Sequence, residues 1–171
     1  KMIKAIIFDY DGVIVDSFQS CHNVYMKICK KLGKSCPKSF EKFKQIYGYG
    51  SKELMKNLKI EGQEMDQANS IYRQEIIKTD SPIFEGIKEV IDKLSMNYKL
   101  VLISSSPREE VMHKLGKYGL SKKFNLIFAS NSGGAMRKVG AIKEATKKLK
   151  NKPEEVVMIG DRTVDFNEGV E

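Results

Sequence analysis

The chain has 171 residues, 41% of them hydrophobic and 30% charged, with 30 lysines and arginines against 22 aspartates and glutamates for a formal charge of +8. That length and balance suit one soluble core, or a core with a small insertion, and exclude a disordered or low-complexity polymer. No stretch approaches the ~18 consecutive apolar residues of a membrane span and the N-terminus lacks a signal peptide's layout, so a cytoplasmic protein without membrane association is expected.

Four short apolar runs read as buried strands: IKAIIF (3–8), KLVLIS (99–104), NLIFAS (125–130) and EVVMIG (155–160). Segments of helical period separate them, which predicts an α/β fold: a doubly wound parallel sheet with helices on both faces. Between the first and second strands the apolar spacing marks several helices: Phe18, Cys21, Val24, Ile28 and Leu32, ended by Gly33; Phe40, Phe43 and Ile46; Leu54, Met55 and Leu58; Met65, Ala68, Ile71 and Tyr72. Such a bundle cannot all lie against the sheet. Residues 17–81 are therefore expected to form an inserted helical subdomain, hinged at Asp16, Ser17, Ser81 and Pro82, with residues 1–16 and 82–171 as the core.

Ile87, Val90, Ile91 and Leu94 form an apolar stripe ahead of the second strand. After that strand, Ser106, Pro107 and Glu109 read as N-cap, first-turn proline and capping-box partner of a helix whose stripe is Val111, Met112, Leu115 and Tyr118. Ile142, Ala145 and Leu149 mark the next helix, and Pro153 precedes the last strand.

The three cysteines, Cys21, Cys29 and Cys36, form no CxxC pair and read as free thiols in a reducing compartment. The lysines are scattered, without the aromatic interleaving, zinc-finger spacing or RNA-binding signature of a nucleic-acid reader, so no nucleic-acid partner is expected. His22 and His113 read as packing or surface residues, and Tyr47 and Tyr49 serve equally well as subdomain core or substrate contact.

Ligands of an open parallel sheet bind beyond the carboxyl ends of its strands. Strand one ends in Asp9 and Asp11, strand two in Ser104 and Ser105, and strand four in GDRTVD with Asp161 and Asp165. Asp161 and Asp165, four residues apart on a helical turn, share a face and with Asp9 gather three carboxylates at one spot. At a separation of ~4 Å and an effective dielectric of ~20, each like-charge pair is unfavourable by about 4 kcal/mol. A divalent cation relieves that repulsion, and an all-oxygen set favours Mg²⁺. Ser104 and Ser105, ahead of a helix N-terminus, suit an anion. Mg²⁺ beside an anion site describes phosphate chemistry.

In this order and at these strand ends, DYDGV (9–13), the serine closing LVLIS (Ser104), the lysine of GGAMRKVGA (Lys138) and GDRTVD (160–165) resemble the four signatures of the haloacid dehalogenase superfamily. Within it the chain looks like the phosphoglycolate phosphatase and β-phosphoglucomutase subgroup, which has a Rossmann-like core and a helical cap. The resemblance implies Asp9 as nucleophile and Asp11 as general acid and base. It implies a Mg²⁺ ion held by Asp9, the Asp11 carbonyl and Asp161, with Asp165 beside them, and phosphate held by Ser104, Ser105 and Lys138. It further implies substrate contacts from the cap loop at Tyr49, Ser51 and Lys52. The expected function is Mg²⁺-dependent hydrolysis of a small phosphorylated metabolite.

Val139 stands where members often carry proline, and Arg162 where a small polar residue is common. Members usually continue past the GD motif with another strand and helix, so further C-terminal chain is expected. A phosphomutase of the same superfamily stays open as an alternative. A phosphoacceptor signalling domain fits less well, because the third strand ends in Ala129, Ser130 and Asn131, without an acceptor aspartate. A non-catalytic binding protein on the same scaffold also remains open.

Overall fold

A computed structural model describes residues 2–47, 50–131, 138–162, 165, 167 and 169. The strands are β1 (Ala5–Phe8), β2 (Lys99–Pro107), β3 (Leu126–Ser130) and β4 (Val156–Ile159). They form one sheet in the order β3-β2-β1-β4, with every pairing parallel. The two central strands, β1 and β2, are covered on both faces, which explains why they read as continuous apolar runs rather than alternating ones. Ile6 and Phe8 enter one core layer with Leu100 and Leu102, while Ile7 enters the opposite layer with Val101 and Ile103.

The first layer is closed by Ile91 of α5 (Ile87–Leu94) and by Val111 and Leu115 of α6 (Arg108–Lys117). The second is closed by Ala141 and Ala145 of α7 (Lys138–Lys148), with Ile142 and Leu149 beside them. Val90 departs from its expected place on the α5 stripe and is 44% exposed. Ile87, Ile91 and Leu94 already fill the contact with the sheet and leave Val90 at its margin. Among the described residues β3 and β4 are the two edges of the sheet, and on β4 Val157 and Ile159 are exposed.

Between β1 and α5 lie α1 (Phe18–Lys31), α2 (Phe40–Tyr47), α3 (Ser51–Asn57) and α4 (Gln63–Ile76). These helices share an apolar core of their own, built on Val24, Tyr25, Ile28, Phe43, Leu54, Met55, Ile60, Ala68 and Ile76. His22 is buried there against the Phe43 ring, and Tyr47 packs edge-to-face with Phe18. The two chain crossings into this unit are stitched together. Asp16 N–H donates to the Pro82 carbonyl at 2.9 Å, and Phe84 N–H donates to the Ile14 carbonyl at 3.0 Å. Lys114 of α6 is buried and donates to the carbonyls of Thr79 (2.5 Å) and Ser81 (3.4 Å), so the returning crossing is tied to the sheet's own helix. Its neighbour Glu110 is buried as well, one helical turn earlier, accepting the Tyr10 hydroxyl at 3.3 Å. Both had the look of ordinary solvent-facing helix charges.

The capping expectation at the end of β2 is corrected. The strand runs on to Pro107, the helix begins at Arg108 with Pro107 at its N-cap, and no side chain caps it. The pairing of β2 with β3 shifts between Ile103 and Pro107, and such an irregularity turns side chains away from the alternation of a regular strand. Ser106 accordingly leaves the helix and turns toward the site.

Candidate active site

Asp9 follows β1 directly and is buried. Its backbone N–H continues the pairing with β4 by donating to the Ile159 carbonyl at 2.9 Å, and its Oδ1 accepts the Tyr10 N–H at 2.7 Å. Lys138 Nζ, also buried, lies 2.6 Å from Asp9 Oδ2 and pairs with Asp165 Oδ1. That approach is an ion pair, and the buried Asp9 Oδ2 has no further partner in hydrogen-bonding geometry. Burial pushes the Asp9 carboxyl up to about 6, against the opposing pull of Lys138. Burial raises Asp161 too.

Asp11 is held from two sides. Its Oδ1 accepts the Ser17 hydroxyl and its Oδ2 accepts the Ser106 hydroxyl, each at 2.5 Å. These serines come from the first crossing into the helical unit and from the far end of β2, so the carboxyl is fixed by groups distant in sequence. Sequence reasoning assigned neither serine this contact. Their chemistry was visible, but their geometry depends on the β1–β2 register and the shift in β2.

Ser104 is fully buried, and its Oγ accepts the Ser106 N–H at 3.0 Å; Ser105 is half-buried beside it. Carboxylate oxygens of Asp9, Asp161 and Asp165 lie within 4.8 Å of one another, as the spacing predicted. The Asp11 carboxylate is turned away toward its serines. Asp165 is oriented by a reciprocal turn in which the Arg162 N–H donates to its Oδ2 at 3.2 Å while its own N–H donates to the Arg162 carbonyl at 3.0 Å.

Two motif glycines are explained by these carboxylates. Gly12 has φ +76°, and a Cβ there would stand 2.2 Å from Asp161 Oδ2; a Cβ on Gly160 would stand 2.4 Å from Asp165 Cβ. Gly12→Ala is therefore expected to combine left-handed backbone strain with displacement of Asp161, a loss of roughly 1–3 kcal/mol in thermal unfolding. An unchanged melting temperature would contradict this.

Arg162, like Ser17 and Ser106, has no site role in the sequence reading, although its unusual place in the motif is a signal. Its guanidinium stands among the same three carboxylates, at 3.9 Å from Asp9 Oδ2, 3.6 Å from Asp161 Oδ1 and 3.8 Å from Asp165 Oδ2. Of the expected loop contacts, Tyr49 lies outside the described residues. Among the described residues, neither Ser51 at the head of α3 nor the exposed Lys52 bonds to the acidic group. Gly50, just ahead of α3, approaches the site: a Cβ there would lie 3.7 Å from Arg162 Nη1.

The donor set fits a hard divalent cation. It offers carboxylate oxygens, one of them buried without a hydrogen bond, and Asp161 remains partly open to solvent as an entry side.

A buried carboxylate at the end of β1, a second carboxylate two residues on held by two serines, and a lysine and acids that follow later strands together define a class. The chain belongs to the haloacid dehalogenase-like hydrolase family, whose model matches residues 6–171. It is similar to the tyrosine-protein kinase PtkA of Mycobacterium tuberculosis, with 25% identity over 169 residues that cover 96% of this chain and 57% of that protein. It is also similar to a phosphorylated carbohydrates phosphatase of Thermotoga maritima, with 24% identity over 133 residues, 73% of this chain and 60% of the relative. A solved haloacid dehalogenase-like hydrolase from Streptococcus pneumoniae superposes with a TM-score of 0.81 at 25% identity, covering 98% of this chain and 80% of that one. The chain thus spans about three fifths of the length of these two curated relatives.

Proposed function

We propose that the chain carries the catalytic centre of a Mg²⁺-dependent phosphatase acting on a small phosphorylated metabolite, with the helical unit of residues 17–81 as its cap. The observation that carries this reading is the pair of carboxyls at the end of β1. Asp9 sits against a buried ammonium, and Asp11 is clamped by two hydroxyls so that it keeps one orientation. One carboxylate is thereby arranged to attack and its neighbour to move a proton.

In this mechanism Asp9 attacks phosphorus, the bond from phosphorus to the ester oxygen breaks, and Asp11 delivers a proton to the departing oxygen. Asp11 then takes a proton from the water that cleaves the aspartyl phosphate, which restores both residues. Lys138 balances charge on Asp9 and on the phosphoryl oxygens. Ser104 and Ser105 donate to those oxygens. Asp9, the Asp11 carbonyl and Asp161 would hold Mg²⁺, with Asp165 orienting Lys138; the ion supplies charge neutralisation for the transferring group. A cap over the strand ends excludes water and adds specificity contacts, for which Ser51, Lys52 and Tyr49 remain the candidates.

Relatives named as phosphatases of phosphorylated carbohydrates, phosphoglycolate and 6-phosphogluconate support a substrate of that size. Three free cysteines, and the lack among the described residues of any helix long and apolar enough to cross a membrane, support a cytoplasmic setting.

Phosphate release from a panel of sugar phosphates, phosphoglycolate and nucleotides, with Mg²⁺ and with a chelator, tests the reading. Turnover is expected only with the metal, and without an isomerised product that would indicate a mutase. Asp11→Asn is expected to keep Mg²⁺ and phosphate binding while losing roughly 10²–10⁴-fold in turnover. Full activity in that variant, or turnover unaffected by the chelator, would overturn the mechanism.

A further inference from the structure

Arg162 occupies an unusual position for a cation. The three carboxylates around it are those that would receive the metal, and Lys138 already stands between Asp9 and Asp165. Three acids therefore meet two basic side chains, which leaves the group close to neutral before any ion enters. Each of the three guanidinium distances, 3.6 to 3.9 Å, is longer than a hydrogen bond. Arg162 thus acts on these carboxylates as a nearby charge and not as a bidentate lock.

A Mg²⁺ ion takes its oxygens at about 2.0–2.1 Å, so an ion on Asp9 and Asp161 would lie within a few ångströms of the guanidinium in its present position. The two cations repel, so the guanidinium in this arrangement opposes the ion, and it does so on top of the charge that Lys138 already places on Asp9. The side chain has somewhere to go. It is 31% exposed, so it can swing toward solvent, on the side where a Cβ at Gly50 would lie 3.7 Å from its Nη1.

Accepting the acidic cluster as the Mg²⁺ site, we infer that Arg162 is a built-in counter-cation of that cluster, which a divalent ion must displace in order to bind. It stabilises the metal-free protein, weakens Mg²⁺ binding, and gives up the carboxylates toward the α3 side when the ion arrives. Metal loading is then linked to the position of a side chain at the border with the helical unit.

Calorimetric titration of Mg²⁺ alone, without substrate, tests this on the wild type, Arg162→Gln, Arg162→Lys and Asp161→Asn. Arg162→Gln keeps a polar side chain but removes the charge, and is expected to bind Mg²⁺ about ten-fold or more tighter than wild type, with Arg162→Lys close to wild type. Thermal melting supplies the second readout. Without metal, Arg162→Gln should melt below wild type, and saturating Mg²⁺ should raise its melting temperature by more.

Equal or weaker Mg²⁺ binding by Arg162→Gln, in a background where wild-type binding depends on Asp161, overturns the inference while leaving the metal site standing. Absence of Mg²⁺ binding in wild type and Arg162→Gln alike, or binding indifferent to Asp161→Asn, removes the metal site and the inference with it.

Discussion

Asp9→Asn is expected to lose phosphate release by at least ~10³-fold while leaving the fold in place. The amide fits the same space and can still accept the Tyr10 N–H, but it cannot attack phosphorus. The stability part of the prediction rests on burial: the carboxyl is enclosed enough to titrate near 6, so replacing it with a neutral group removes a desolvated charge. Lys138 keeps Asp165 as partner in the variant. The melting temperature is therefore expected to stay within a few degrees of wild type while turnover disappears. A sensitive phosphate assay beside a melting curve checks both halves. Residual activity within ten-fold of wild type would show that a different group attacks, and a collapsed fold would show that the ion pair with Lys138 is chiefly structural.

Glu110→Gln is expected to make the protein more stable at alkaline pH and to flatten its pH dependence. Glu110 is enclosed by α6 and the β1 turn, with the Tyr10 hydroxyl on Oε1 and no hydrogen bond on Oε2. Burial raises its carboxyl from an ordinary 4.5 to about 8, with Asp11 adding to the shift and Tyr10 and Lys114 opposing it. The sign follows. Below about 4.5 the group is protonated in folded and unfolded chains alike and exacts no penalty. Between about 4.5 and 8 the unfolded chain releases the proton and the folded chain retains it, so folding stability falls as pH rises. Above the upper value the penalty is complete. Glutamine has no proton to retain, so the variant is expected to exceed wild type by the order of 2–4 kcal/mol at alkaline pH and to approach it in acid. Denaturant unfolding at pH 5 and pH 8.5 measures the difference, and parallel declines in the two proteins would refute the buried charge.

Glu110 also shows where a single chain stops being readable. In sequence it is one acid among the charges of α6, next to Glu109, which is exposed. Its burial arises because the helix lies over the β1 turn and brings residue 110 to Tyr10, a contact across 100 positions. Lys114 is the same case: its partners are carbonyls of the returning crossing, and carbonyl positions leave no mark in residue type.

Much of the rest was legible. Ile6 to Phe8 and Leu100 to Ile103 are apolar at every position because both faces of a parallel sheet are covered, and that continuous pattern reveals the strands. The acids that end β1 and follow β4 meet because parallel strands deliver their carboxyl ends to one side, so connectivity alone brings Asp9, Asp161 and Asp165 together. Lys138 was visible through motif order.

The amino-acid order by itself determined the layered α/β architecture, the inserted helices and the gathering of carboxylates, since these follow from hydrophobic period and from strand direction. Only the tertiary structure decided that Ser17 and Ser106 grip Asp11, that Gly12 makes room for Asp161, and that Arg162 shares the acidic cluster. The reason is physical. Ser106 carried a local capping signal, but a carboxylate 95 residues away in sequence, brought close by sheet register and a shift within β2, offered its hydroxyl the stronger partner.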